Sequence, residues 1–362
     1  MGPRIIAFGA TGYTGRLLVE SLVARGHRPV LAGRSAEKLA ALAARYGGLD
    51  TAVADVARPE SVRALLGRGD VLVSTVGPFA RYGSVAVEAA IGAGAHYVDS
   101  TGEAPFIRAV FEQYGPRAAA SGSALLTAFG YDYVPGNVAG ALALRAAGPD
   151  ARRVDIGYFL TGLAKMSSGT RASMLGGGVV PHYAYRGGRM FPEPAMRRIG
   201  RFDCDGRTLR GGSVGATEQF ALPRYAPQLQ EVGVYLGWLG PAVRAAQALS
   251  YVTPVVGRLL GAAADRVHAA TGEGPDADER SRGGSRILAV AKDRSGRPLA
   301  SARIEGVDAY TLTGKLLAWA ALRLLAGQVN GVGALGPVDA FGIDAVEGAC
   351  RDAGLARVEL SG

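Results

Sequence analysis

The sequence predicts an α/β fold, a doubly wound parallel sheet with an α+β domain inserted between it and a helical tail. Three observations predict it. Short apolar runs alternate with amphipathic stretches of helical length from residue 4 to residue 129. A glycine-rich turn, Gly9-Ala10-Thr11-Gly12-Tyr13-Thr14-Gly15, separates the first run from the first amphipathic stretch. Near residue 150 the alternation ends, and strand-like runs joined by turns replace it.

In order, strands are expected at 4–8, 29–33, 50–55, 70–76, 97–100 and 124–129, with helices at 14–25, 36–46, 59–66, 85–94 and 105–121. Pro59 suits the first turn of its helix, because its missing N–H would be unpaired there anyway. Strands spaced by single helices pair in parallel through right-handed crossovers. The region after 150 reads as strands at 153–160, 217–222, 285–292 and 298–305, the last two joined by Asp293-Arg294-Ser295-Gly296 as a hairpin turn. Residues 272–284 are polar and read as a loop, and helices at 312–325 and 344–353 close the chain. The expected division is 1–150, 151–309 and 310–362, with the tail returning to the first domain.

Composition narrows the function classes. Hydrophobic residues make up 48% of the 362 and charged residues 20%, a globular profile. The net charge is +9, but the arginines are spread along the chain and only four residues are lysines, Lys38, Lys165, Lys292 and Lys315. Without a basic run interleaved with aromatics, nucleic acid is not an expected partner, whereas small anionic molecules are. Cys204 and Cys350 lie far apart, which argues against a disulfide framework or a zinc site; no metal is expected. No signal-like segment precedes the first strand, so the expected compartment is the cytoplasm. Between Val232 and Gly257 the only charge is Arg244. That stretch suits a pair of buried helices, a lid over an apolar substrate, or an interfacial membrane contact.

The glycine turn sits where a dinucleotide-binding Rossmann fold needs it. Glycines there allow a sharp turn, close approach of backbone to a pyrophosphate, and tight helix–strand packing, while the helix N-terminus favours the phosphates. Gly9, Ala10, Thr11, Gly12, Tyr13, Thr14 and Gly15 are therefore candidate cofactor residues. The second strand ends Gly33-Arg34-Ser35, with no acid for a ribose 2′-hydroxyl. Arg34 is suited to a 2′-phosphate and Ser35 can add a hydroxyl, so NADP(H) is expected over NAD(H). Asp55, after the third strand, either caps the next helix or touches adenine. Val76, Gly77 and Pro78 end the fourth strand, where open α/β sheets bind ligands.

Longer motifs resemble a known family. Thr75-Val76-Gly77-Pro78-Phe79-Ala80-Arg81-Tyr82-Gly83 and His96-Tyr97-Val98-Asp99-Ser100-Thr101-Gly102-Glu103 resemble the saccharopine dehydrogenase-like oxidoreductases. Gly130-Tyr131-Asp132-Tyr133-Val134-Pro135 resembles the Gly-Phe-Asp-Ser-x-Pro element of its trans-acting enoyl reductase branch, and Ser168-Gly169-Thr170 its Ser-Gly-Gly-Thr element. The likeness spans residues 4–136, weakens to about 176, and returns in the tail helix at 310–325. It implies a Rossmann domain, NADPH, and a substrate domain inserted before the tail. Three departures stand beside the expected substrate: Tyr133 replaces the serine, Tyr131 the phenylalanine, and in Ser167-Ser168-Gly169 a serine replaces one glycine.

Three functions remain open on this reading: NADPH-dependent reduction of a polarised C=C bond in a lipid or natural-product intermediate, imine or ketone reduction on the same scaffold, and a non-catalytic NADP(H) sensor. The expected partner is a small-molecule substrate, apolar or carrier-bound; a homodimer stays open. Hydride transfer needs a proton donor near the developing charge. Tyr133 is the expected donor, with Tyr131 next. Phe79, Tyr82, Lys165, Ser168 and Thr170 are expected to touch substrate. Asp132 is read as a helix cap or an orienting group, and Asp99 and Glu103 as ribose ligands or helix-start residues. His182, Tyr183 and Tyr185 are read as a loop cluster with a packing role.

Overall fold

In a computed structural model, which describes residues 2–162, 181–251 and 274–358, the strands form two sheets. The first contains β1 (Ile5–Phe8), β2 (Val30–Gly33), β3 (Thr51–Val53), β4 (Val71–Ser74), β5 (His96–Asp99) and β6 (Ala124–Leu126). All pair in parallel, in the order β6-β5-β4-β1-β2-β3. The order reverses at β1, and the loops after β1 and β4 meet there. Most of these strands are buried along their length, as continuous apolar runs in a sheet covered on both faces should be. The intervening helices are α1 (Tyr13–Val23), α2 (Ala36–Arg45), α3 (Pro59–Arg63), α4 (Phe79–Ala93), α5 (Ala104–Ala109) and α6 (Gly115–Ser121), the last two joined by a π-turn at Val110–Tyr114.

Helix α7 (Val134–Ala147) carries the chain to the second sheet. Its strands are β7 (Arg153–Thr161), β8 (Tyr183–Arg186), β9 (Arg189–Pro192), β10 (Ile199–Cys204), β11 (Arg207–Ser213), β12 (Glu231–Leu236), β13 (Gly284–Lys292) and β14 (Pro298–Gly306). β7 and β12 pair in parallel at its centre, and the other pairings are antiparallel. The 293–296 turn joins β13 and β14, with Asp293 Oδ1 accepting from the N–H groups of Ser295 and Arg297.

Three expectations are corrected. Residues 217–222 form no strand but the start of helix α8 (Glu218–Tyr225). Gln219 explains it: its side chain accepts from Ala216 N at 2.7 Å and donates to Val214 O, which satisfies the helix entrance. The apolar stretch from Val232 is not a helix pair. Val-Gly-Val-Tyr-Leu is a buried strand, as its branched and aromatic residues favour, and only α9 (Val243–Ser250) follows; residues 252–257 lie outside the described residues. Within 272–284, a helical turn α10 (Ala277–Ser281) starts at an Asp276–Glu279 capping box. Two hairpins, β8–β9 and β10–β11, went unread although their turns carry the signal. Gly187-Gly188 and Asp205-Gly206 both have positive φ at each position.

The tail divides between the sheets. Helix α11 (Ala309–Leu325) packs on α1, and β15 (Gly333–Ala334) adds a seventh parallel strand beside β6. Helices α12 (Pro337–Phe341) and α13 (Ile343–Ala353) pack against α7, and β16 (Leu355–Val358) pairs with β14 of the second sheet. One continuous core runs through both sheets. Among the described residues, no helix is long and apolar enough to cross a membrane.

Candidate active site

The C-terminal ends of β1, β4, β5 and β6 open toward the second sheet. The turn after β1 is compact. Gly9 has φ +86°, and a Cβ there would lie 2.7 Å from Thr75 Oγ1. At Gly15 a Cβ would overlap the Gly9 carbonyl oxygen, so the first turn of α1 lies directly on the loop. Gly12, the N-cap, offers no side chain to the first N–H groups of α1, and the first turn carries no acid. An uncapped helix N-terminus over a glycine cradle fits a dinucleotide pyrophosphate.

Around this cradle the candidate cofactor residues take distinct places. Arg34 is exposed and makes no hydrogen bond or ion pair with a described residue. Ser35 caps α2, accepting from Lys38 N at 3.3 Å. Asp55 accepts from Ala57 N at 3.0 Å in a local turn. Val76 lies beside Gly9, and the Gly77–Pro78 peptide is cis. Phe79 is buried against Phe106, and Tyr82 lies half-buried under the Arg81 guanidinium. Lys165, Ser168 and Thr170 lie outside the described residues.

Several polar residues prove to be occupied. The Glu103 carboxylate accepts from Phe79 N and Ala80 N, both at 2.9 Å, and so caps α4, which has no cap of its own. Asp99 is fully buried and binds Thr101 N, Ala128 N and Thr127 Oγ1, tying β5 to the turn after β6; burial lifts its pKa to about 6. His182 Nδ1 accepts from Gly215 N, and Tyr183 donates to Ala216 O. Tyr183 and Tyr185 belong to strand β8 and not to a loop.

A cavity of about 130 Å³, well above the space one water needs, lies between the sheets. Thr14 and Ser100 line it from the first sheet, and Leu160, Thr161 and Trp238 from the second. Tyr131 and Asp132 form its floor, and Arg280, Glu279 and Asp308 its other side. Residues 274–280 press on the cofactor loop: Tyr13 donates to Pro275 O, and Arg280 reaches the Tyr13 hydroxyl at 3.1 Å. Asp308 is engaged at the start of α11, accepting from Tyr310 N and Thr311 N.

Asp132 is different. It caps nothing: its Oδ1 is shielded from solvent and has no hydrogen-bond partner among the described residues. Burial without a cation raises its pKa to about 7. Tyr131 borders the same space, its ring 6.2 Å from Trp238, and its hydroxyl is pushed far above the usual phenol range by burial. Tyr133 is buried with its ring edge-on to Tyr158, 5.6 Å between centroids, and does not line the cavity. The structure thus brings Tyr131, Asp132 and the end of the glycine loop together and sets Tyr133 behind them. Trp238, in the stretch read as a possible lid, lines the cavity, whereas nothing in the sequence reading marks Arg280 as a wall residue or Glu218 as a buried neighbour. The Gly-x-Asp element was the only signal for any part of this floor.

Comparisons with known proteins agree with this architecture. Residues 5–126 match the family model of the saccharopine dehydrogenase NADP binding domain. A trans-acting enoyl reductase of Mycobacterium leprae is 38% identical over 140 residues, which is 37% of this chain and 34% of that protein. One from Mycobacterium tuberculosis H37Rv is 36% identical over the same length, with the same coverage. The chain thus spans about a third of the length of these curated relatives. The fold extends further: apo saccharopine dehydrogenase (L-Glu forming) of Saccharomyces cerevisiae superimposes with TM-score 0.60 at 15% identity, covering 99% of this chain and 100% of that one. Residues 5–126 are therefore an NADP-binding domain of the saccharopine dehydrogenase type, and the whole chain shares the fold of saccharopine dehydrogenase.

Proposed function

We propose that the protein is an NADPH-dependent reductase of a polarised C=C bond, of enoyl type, in a lipid or natural-product intermediate, with Asp132 as the proton donor. One observation carries the reading: a carboxyl without a hydrogen-bond partner among the described residues, on the cavity floor beside the cofactor crevice, with its pKa lifted to about 7. A donor with a pKa near neutrality combines the right protonation state with a useful driving force. The names of the mycobacterial relatives support the enoyl class.

When bound, NADPH supplies the hydride. The glycine turn and the N-terminus of α1 hold the phosphates, and Arg34 meets the 2′-phosphate. Hydride addition at the β-carbon pushes the C=C electron pair toward the carbonyl oxygen. Asp132 gives its proton to the α-carbon, and its carboxylate is reprotonated from solvent through the cavity mouth. Tyr131, Trp238 and Leu160 form a wall that keeps water from the developing negative charge. Tyr131 is placed to donate to the enolate oxygen; Tyr133 acts on the turn that carries both.

A second reading, imine reduction, is favoured by the charge of the wall. Asp132, Glu279 and Asp308 oppose only Arg280, which suits a cationic C=N carbon. The test is NADPH oxidation by the purified chain against α,β-unsaturated thioesters, cyclic imines and ketones. Turnover of a crotonyl thioester with loss of its double bond supports the first reading. Turnover confined to imines supports the second. NADPH binding without turnover of any of them leaves a sensor.

A further inference from the structure

We propose that Tyr158 and Glu218 are positioning residues for Asp132: they clamp the turn that carries it, with Glu218 a like-charge neighbour that keeps its proton once Asp132 has ionised. The inference rests on the reading of Asp132 as the proton donor. Glu218 opens helix α8 and is fully buried. Its Oε1 accepts from the Tyr158 hydroxyl at 2.6 Å, and that hydroxyl accepts from Gly136 N at 2.9 Å. Gly136 lies in the first turn of α7, directly after the 131–133 segment. A Cβ at Gly136 would overlap both the Tyr158 hydroxyl and the Glu218 carboxyl, so the helix start is shaped around this pair.

The same pair grips both neighbours of Asp132. The Tyr158 ring stands edge-on to Tyr131 and to Tyr133, with centroids 5.5 and 5.6 Å away. Asn137 Nδ2 donates to Tyr133 O at 2.8 Å and to Thr217 Oγ1 at 2.9 Å, tying the turn to the residue before Glu218. The floor of the cavity is therefore held from behind by the second sheet.

The electrostatics run the same way. Facing Glu218 are Tyr158 from β7, Tyr133 and Asp132 from the turn, Tyr183 from β8 and Thr217. The charges on the other packed elements are engaged with one another, Arg224 with Asp339 at 3.6 Å and Arg198 with Glu231 at 2.7 Å. No cation among the described residues pairs with either acid. Burial lifts Glu218 to about 8, and the Asp132 charge adds to that. Two acids in one dry region ionise stepwise, the first charge holding the second proton in place.

The test is an infrared pH titration of carboxyl bands in the full chain, without substrate. Asp132→Asn and Glu218→Gln each remove one band and so assign them. With Asp132→Asn the Glu218 band should titrate lower by roughly half a pH unit or more, because the like charge is gone. Tyr158→Phe should lower kcat for crotonyl-thioester reduction about tenfold, with KM and NADPH affinity within about twofold. Glu218→Gln keeps an acceptor for Tyr158 and should lose less. An unchanged Glu218 titration in Asp132→Asn, or an unchanged kcat in Tyr158→Phe, overturns the proposal. If Asp132→Asn turns over normally, the proton-donor reading falls instead, and the infrared shift still decides the coupling.

Discussion

On the side of the first sheet, the crevice between the sheets is lined by main chain. Gly9, Gly12 and Gly15 present peptide groups at a helix start; Arg16 donates to Thr11 O of the same turn, and Arg34 is exposed. On the other side, the floor after β6 and the wall facing the first sheet are lined by side chains that reach across long stretches of sequence. Tyr158 meets Glu218, Tyr13 meets Pro275, and Tyr131 N meets Thr313 Oγ1. The acids of the first wall, Asp99 and Glu103, are tied to backbone N–H groups, and the second wall, with the floor after β6, holds Asp132, Glu279 and Asp308. A backbone cradle binds a constant group such as a dinucleotide and tolerates little change. A wall of side chains can be rebuilt for a new substrate without disturbing the cradle. On the proposed function, this division gives affinity for the cofactor to one wall and chemistry to the other.

The sharpest way to break that division is Asp132→Asn. If the second wall does the chemistry, kcat should fall by about 10²- to 10⁴-fold, the usual contribution of a positioned acid. NADPH affinity, measured by fluorescence titration, should stay within about twofold. A matched loss of cofactor binding would show that the two walls are not separable.

The complementary change is Arg34→Glu. It removes a charged hydrogen bond to the 2′-phosphate and adds a repulsion, so the KM for NADPH should rise about 10- to 100-fold relative to that for NADH. kcat at saturating cofactor should hardly move. An unchanged preference would take the 2′-phosphate away from Arg34.

A smaller effect separates the two tyrosines. Tyr131→Phe removes a hydroxyl on the cavity wall and should slow kcat about fivefold, the worth of roughly one hydrogen bond. Tyr133→Phe removes one from a ring behind the floor and should cost less. A larger loss at Tyr133 would return it to the role that its place in the Gly-x-Asp-x-x-Pro element suggests.

How much of each wall could be read from the sequence follows from how each is built. The cradle depends on residues adjacent in the chain: a strand, three glycines and a helix within twenty residues. Its needs are written locally, and so is the arginine that ends β2. The second wall depends on contacts between residues 60 to 262 positions apart. Nothing near Glu218 in sequence marks it as a buried acid; the run 217–222 reads as a strand, and the Gln219 contacts that make it a helix are tertiary. Asp132 sits in a legible motif, but its missing partner is a property of the folded environment. The β8–β9 and β10–β11 turns were legible as Gly-Gly and Asp-Gly and went unread because the strands beside them are rich in arginine.

The smallest expected effect concerns stability, and it bears on the same division. Asp132 has its usual pKa near 3.8 in the unfolded chain and about 7 in the folded one. Between those values the folded state holds a proton that the unfolded state has released. Stability therefore falls as pH rises from about 4 to about 7, and the full penalty remains above 7. Asp132→Asn removes the ionisable group while keeping its size, so the variant should be relatively more stable than the native chain at pH 8 than at pH 4. A relative gain of 1 kcal/mol would appear as roughly 2 °C in Tm for a chain of this length. Asp99 is a control within the same fold. It is also raised, to about 6, but its carboxyl holds Thr101, Thr127 and Ala128, so Asp99→Asn should lower Tm at both pH values. Calorimetry of the two variants at both pH values compares an acid kept for chemistry with an acid kept for structure. If Asp132→Asn loses stability at pH 8 as Asp99→Asn does, Asp132 is a structural acid, and the second wall has lost its candidate for catalysis.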